Sequence, residues 1–232
     1  MSFIIEGIQR AFHLIFTLDK EIFGIVLVSL KVSSIAIFFS SILGVYLGFL
    51  LALKGFWGKK FTLASINTLL ALPTVVVGLT VYSFISRKGP LGVFGLLFTP
   101  SAMIIGQFIL ATPIIIALTH SAVQGIDKRV RNTALTLGAT ESQSAWTVIK
   151  EARYAVLAAV ITGFGRVIAE VGASMMLGGN IKGSTRNITT AIALETSKGE
   201  FGFGIALGII LLIIAFSINI LLHYFQSKKG TI

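Results

Sequence analysis

Five long apolar stretches, separated by short polar ones, dominate the chain; they cover 22–53, 61–85, 100–123, 154–177 and 203–224. Each reaches the roughly 20 residues that an α-helix needs to cross the hydrocarbon of a bilayer. The apolar positions run on without period-two alternation, so the stretches are predicted to be membrane-spanning helices and a β-barrel is excluded. The first stretch exceeds what the hydrocarbon requires, and its outer end is expected to project. Pro100 opens the third at the first-turn position that proline favours. Ahead of them, Ser2 to Leu18 is apolar but short and interrupted by Glu6, Gln9 and Arg10. It is expected to lie in the membrane interface as a helix, with a sixth span there as the alternative. The expected architecture is an all-α integral membrane protein. An interfacial helix occupies 1–21, the membrane domain with five transmembrane helices occupies 22–227, and a short tail follows over 228–232.

Small residues recur at helical spacing within the spans: Gly44 and Gly48, Gly204 and Gly208, and Gly165, Ala169 and Ala173. Each set is expected to form a face on which helix backbones approach closely. Pro73 and Pro113 fall inside the second and third spans, where proline removes a helix hydrogen bond and kinks the chain. In a transporter such kinks line the pathway; in any packed bundle they simply bend helices, and both readings stay open. Arg166 and Glu170 lie one turn apart inside the fourth span. Ionisable groups at membrane depth are costly, so these two are expected to pair. Such a pair serves as a gate or as an ion pair that orders packing.

Composition agrees with a membrane protein: 55% of the 232 residues are hydrophobic and only 12% charged, about half the charged share of a soluble domain. Without cysteine, disulfides, thiol catalysis and thiolate metal sites are excluded. The net charge of +10 sits at span ends and reads as a topology signal, not as a nucleic-acid surface. With the polar insert at 127–153 placed inside, the inner segments hold ten Lys and Arg against seven outside. The chain is therefore expected in the cell membrane as a multi-pass protein with its N-terminus outside and its C-terminus cytoplasmic.

The insert at 127–153 breaks the apolar pattern. Gly138 is expected to be the hinge between two short helical stretches, and Thr140 with Gln143 matches a capping box for the second. Trp146 and Ile149 are expected on its membrane-facing side. Ala134, Gly138 and Ala139, with Trp146 eight residues after the glycine and Ile149 beyond, resemble the coupling loop of type I ABC importer permeases of the methionine- and molybdate-transporter kind. Asn132 and Thr133 stand where that family has Glu and Ala, and Lys150 and Glu151 where it has Leu-Pro. Leu72, Pro73, Gly78 and Leu79 resemble a Leu-Pro-x-Val-Val-x-Gly-Leu run of oxyanion permeases. Gly165, Arg166, Glu170, Gly172 and Ala173, followed by Gly179, Asn180, Ile181, Gly183 and Thr185, resemble a second run of molybdate, sulfate and tungstate permeases. Val171, Met175, Met176 and the segment from Asn187 are most similar to tungstate permeases.

The resemblance implies a permease subunit that forms a homodimer, binds two cytoplasmic ATPase subunits and receives a tetrahedral oxyanion from an extracytoplasmic binding protein. Tungstate is the first expected cargo, with molybdate or sulfate as the alternative. It implies an ATPase-coupling surface at Arg131, Asn132, Thr133, Ala134, Leu137, Gly138, Ala139, Thr140 and Glu141. It also implies a translocation pathway or gate at Pro73, Gly78, Arg166, Glu170, Gly172, Gly179 and Asn180.

Enzymatic chemistry finds no footing. His13, His120 and His223 are scattered and the serines form no nucleophile arrangement, so neither a metal site nor a catalytic residue is expected. The stretch Gly55 to Lys60 lacks the spacing of a phosphate loop. No cofactor is expected on this chain; ATP and Mg belong to the partner ATPase. At Gly178, Gly179 and Asn180, glycine and asparagine suit either an anion-facing backbone or a helix stop. Lys182 and Arg186, just beyond, are expected in a solvated loop, with attraction of anions or contact with a binding protein as the alternative. Two rivals remain: a secondary transporter or channel acting alone, which usually carries more intramembrane charge or two matching halves, and a non-transporting scaffold.

Overall fold

The structure is a computed structural model that describes residues 2–17 and 19–227. The expected tail over 228–232 lies outside the described residues. Among the described residues there are ten α-helices, one short 3-10 turn at Gly92–Phe94 and no strand. They are α1 (Ser2–Phe16), α2 (Lys20–Leu53), α3 (Lys59–Leu70), α4 (Thr74–Ile85), α5 (Pro100–Gln124), α6 (Lys128–Thr136), α7 (Glu141–Ile168), α8 (Gly172–Gly178), α9 (Ile188–Ser197) and α10 (Phe201–Ser227).

Helices α2, α5 and α10 are each long and apolar enough to cross a membrane. The other two expected spans are each a pair of helices bent at a short break; the kink expected at Pro73 is one of these breaks, and the break in the fourth span was not expected. α3 and α4 meet at 99°, α7 and α8 at 62°. Pro73 is the N-cap of α4, with extended backbone, where its missing N–H belongs to no helix. Pro113, by contrast, is buried inside α5, and that helix runs on past it. The helix that carries the fourth span begins earlier than its apolar stretch, because α7 starts at Glu141. At 34 residues, α2 is about 51 Å long and outreaches the roughly 30 Å hydrocarbon.

α2 and α5 form the centre. A Cβ on Gly44 would lie 2.9 Å from Ile115 Cβ, and one on Gly48 only 2.6 Å from Thr119 Cβ. This face therefore makes the close approach its spacing predicts. Ser40 adds a hydroxyl hydrogen bond to the Phe108 carbonyl at 3.2 Å. α7 packs on both helices, with Ile37, Ala111, Ile115 and Val167 in one buried cluster.

The other two small-residue sets behave differently. Gly204 is buried near Thr196, but nothing within 4 Å would meet a Cβ on Gly208. Gly165, Ala169 and Ala173 do not form one face, because the chain turns between α7 and α8. α1 packs along α10, with Ala11 buried beside Ala206 and Leu207; its 15 residues reach about 22 Å.

Candidate functional site: a broken-helix junction and a polar connector

The two breaks face each other. A Cβ on Gly172 would lie 2.9 Å from Val75 Cγ2, 3.2 Å from Thr74 Oγ1 and 3.5 Å from Glu170 Oε1. One turn further on, a Cβ on Gly78 would lie 3.0 Å from the Ala173 Cα. The two glycines let the first turns of α4 and α8 touch, directly beside the acidic side chain. Pro73, Gly78, Glu170, Gly172 and Arg166 thus come together, as one site, from two stretches about 90 residues apart.

Glu170 is 3% exposed, yet every part of it is engaged. Its Oε2 accepts from Arg166 Nη1 at 3.0 Å. Its Oε1 accepts the Ala173 N–H at 3.2 Å, one of the amides that the start of α8 leaves without a helical partner. Its main-chain carbonyl accepts from the Thr189 hydroxyl at 2.7 Å. These bonds explain why the helix stops at Ala169 without a proline: side chain and carbonyl replace the helical ladder. The Arg166 side chain is 48% exposed, and its bond to Glu170 engages one terminal nitrogen. Exposed Thr162 and Arg166 form a ridge on α7, with exposed Ala169 just past its end. A polar ridge at membrane depth requires water or another protein surface opposite it.

Gly179 and Asn180 lie apart from this junction, at the other end of α8. Both have left-handed backbone, φ 68° and 51°, and end the helix. Gly179 sits under the Phe98 ring, where a Cβ would come within 2.7 Å of Cδ1. The turn is stapled by Thr185, whose hydroxyl donates to the Gly178 carbonyl at 2.5 Å and accepts the Ile181 N–H at 3.0 Å. Lys182 and Arg186 are not simply solvated, which corrects that expectation. Glu21 takes Lys182 at 2.6 Å and Arg186 at 3.5 Å, and Glu195 takes Lys198 at 3.0 Å and Arg186 at 3.8 Å. The network ties the start of α2 to α9.

Sequence reasoning missed α9 and the groups that seat it. Asn187 Oδ1 accepts the Thr190 N–H at 2.9 Å, and Thr190 Oγ1 accepts the Asn187 N–H at 3.1 Å. The Ile188 N–H donates to Ser29 Oγ of α2 at 2.7 Å. A capping residue followed by Thr and an apolar run was the available signal.

On the opposite end of the bundle, α6 and the first turns of α7 form the connector. The expected pair of short helices is corrected here: the second is the start of the 28-residue α7. Gly138 makes the turn, with φ 87°. Its N–H donates to the Leu135 carbonyl and that of Ala139 to the Ala134 carbonyl, both at 3.0 Å, the pattern of a glycine helix stop. Thr140 and Gln143 form the expected reciprocal cap. Asp127 caps α6, and hydrogen bonds from Arg129 hold its carboxyl below the usual carboxylate range.

Arg131 Nη2 meets Glu141 Oε2 at 2.5 Å; the pair is exposed and contributes little. The firmer anchors are apolar. Val130 packs on a cluster of Ala52, Val123, Val148, Ala152 and Val156, which joins α6 to α2, α5 and α7. Buried Ser144 donates to the Arg131 carbonyl at 3.3 Å. Facing away, Asn132, Thr133, Gly138 and Thr140 are exposed, and Leu137 is 83% exposed. Ala134 and Ala139 are half-buried behind them. Trp146 is 58% exposed, with the Lys150 ammonium 5.7 Å from its ring.

Known proteins share both sequence and fold. Residues 22–230 match the family described as the binding-protein-dependent transport system inner membrane component. The chain is 43% identical over 223 residues to the tungstate uptake system permease protein TupB of Campylobacter jejuni, covering 96% of this chain and 93% of that one. It is 42% identical over 210 residues to a probable anion ABC transporter permease protein of Haloferax volcanii, covering 88% and 90%. Identity to the molybdenum transport system permease protein ModB of Escherichia coli is 31% over 206 residues, covering 82% and 90%. The inward-facing MetNI methionine ABC transporter has the same fold at 16% identity, with a TM-score of 0.71 over 92% of this chain and 97% of that chain. A multi-pass membrane protein with paired broken helices and an exposed polar connector, this chain belongs to the binding-protein-dependent transport system inner membrane component family.

Proposed function

We propose that this chain is the permease subunit of an ATP-driven importer for a tetrahedral oxyanion, tungstate first and molybdate second. The observation that carries the reading is the 43% identity, along nearly the whole of both chains, to a protein named as a tungstate uptake permease. The connector gives it a mechanism. ATP and Mg bind a separate ATPase subunit; two such subunits dock on the connectors of a permease homodimer. The exposed face from Arg131 to Glu141, with Leu137 as its apolar contact, receives their motion. Val130 passes it into α2, α5 and α7 as one body. An extracytoplasmic binding protein delivers the anion to the opposite face, so the N-terminus lies outside and the connector inside.

At the junction, Arg166 is the anion contact and Glu170 its tether. A bare buried carboxylate would repel an oxyanion; paired with Arg166 and the Ala173 N–H, it instead presents a guanidinium whose remaining N–H groups suit tetrahedral oxygen acceptors. An anion that competes with Glu170 for Arg166 frees the carboxylate, and this exchange couples cargo to the hinge at 169–171. Gly179 and Asn180 shape the turn above the gate.

The test is uptake into proteoliposomes that hold the chain, its ATPase and its binding protein. Tungstate should accumulate only with ATP. Gly138→Asp should insert normally and abolish accumulation. Full ATP-driven uptake by that variant, or equal movement of tungstate by the chain with no ATPase, would overturn the proposal; the second result would favour a stand-alone channel or secondary transporter.

A further inference from the structure

A groove at the connector end of α2 takes no part in the pathway just described. It has a volume of about 590 Å³ and is lined by Leu47, Leu51, Lys54, Phe56, Ile66 and Ile116, among others, from α2, α3 and α5. Its floor is the buried cluster of Leu51, Ile66 and Ile116. Leu47 lies six residues before the end of α2, about 9 Å below the rim. The rim is basic: Lys54 lines it, the Lys59 ammonium donates to the Lys54 carbonyl at 3.2 Å, and Lys60 follows. No Asp or Glu occurs anywhere from residue 22 to 126, so none of these helices supplies a carboxylate to neutralise them. Beside the rim, Phe56 is 47%, Phe61 79% and Trp57 fully exposed. Exposed aromatic rings at the end of a span mark headgroup level.

We infer that this groove binds an anionic phospholipid, with one acyl chain along Leu47, Leu51, Ile66 and Ile116 and the phosphate at Lys54, Lys59 and Lys60. Charge decides the class. Three lysines attract a headgroup that carries phosphate alone and repel the ammonium of a zwitterionic one. Depth decides between a lipid and a soluble phosphate: the apolar floor begins at the rim and runs into the hydrocarbon, where only a tail follows it.

The chain contains two tryptophans, so Trp146→Phe leaves Trp57 as the reporter. The full-length variant is placed in phosphatidylcholine vesicles that contain either brominated phosphatidylglycerol or brominated phosphatidylcholine at equal mole fraction. Bromine quenches indole on contact. Trp57 should be quenched severalfold more by the brominated phosphatidylglycerol. The triple change Lys54→Gln, Lys59→Gln, Lys60→Gln should equalise the two lipids. Leu47→Phe, which fills the groove and keeps the lysines, should weaken the preference as well. Equal quenching of the parent overturns the site, and so does a preference that excess soluble glycerol phosphate abolishes. Protection of Trp57 from both lipids would mean a second protein copy covers the groove, and would also overturn it.

Discussion

The Thr189 hydroxyl donates to the main-chain carbonyl of Glu170 at 2.7 Å, so the break in the fourth span is closed by a residue from a helix two elements further on. The carbonyl that α7 would have used for its next turn is thereby satisfied. Thr189→Val keeps the shape and removes the donor. It should leave a buried carbonyl unpaired and destabilise the folded chain by about 1–3 kcal/mol, measured as a lower midpoint in detergent by size-exclusion-detected melting. Thr189→Ser should restore most of it.

Removal of one partner of the Arg166–Glu170 pair should be worse than removal of both. Arg166→Ala leaves the buried carboxylate with only the Ala173 N–H, a loss of up to about 3 kcal/mol; water reaching the half-exposed arginine side lowers that figure. The double variant Arg166→Gln, Glu170→Gln should regain stability but not uptake. Stability and ATP-driven tungstate uptake, measured on the parent and both variants, check this; normal uptake by the double variant would remove the pair from the transport path.

At Gly48 the Cβ of any other residue would lie 2.6 Å from Thr119 Cβ, and the Ile116 carbonyl is only 3.0 Å away. Gly48→Ala should therefore destabilise by about 1–3 kcal/mol through overpacking. Gly208→Ala, which meets nothing within 4 Å inside this chain, should leave the monomer's melting midpoint unchanged. A lost dimer in that variant would place Gly208 against the second copy.

The left-handed Gly138 separates geometry from contact. Gly138→Asn should be tolerated, because asparagine adopts this backbone readily; Gly138→Val should strain it by about 1–2 kcal/mol. With the ATPase present, the valine variant should hydrolyse ATP yet transport less per ATP, measured as the ratio of uptake to phosphate released.

Asp127 titrates below its ordinary range because Arg129 donates to it. Its folded value lies below its unfolded one, so its capping of α6 is present at neutral pH and is lost as pH falls through the depressed value. Asp127→Asn should remove that acid-side dependence from ATPase-coupled uptake.

The apolar stretches were enough to place the helices, and glycine spacing was enough to find the α2–α5 contact. They did not distinguish Pro73 from Pro113, because the outcome depends on neighbours: Pro113 is enclosed within a packed helix, while Pro73 stands where a second helix begins. The break after Ala169 carried even less signal. Its cause is a buried glutamate bonded to an amide three residues ahead and a threonine nineteen residues on, and neither bond has a local pattern. The candidate residues around Pro73 and Glu170 were legible as a resemblance, but their meeting was not, since it rests on two glycines whose role is only to have no side chain. The loop at Arg186 was misread as solvated because the partners of that residue, Glu21 and Glu195, belong to other elements.

α7 runs without interruption from the Thr140 cap to the Ala169 break, 28 residues or about 42 Å. Beyond the break, α8 has little play: Leu177 fills the notch at Gly106, Met103 presses on Gly178, and Phe98 covers Gly179. A stiff shaft ending on a pinned stub works as a tiller. In the proposed mechanism, a push at the connector would arrive as rotation at the three-residue junction where the glutamate holds its arginine.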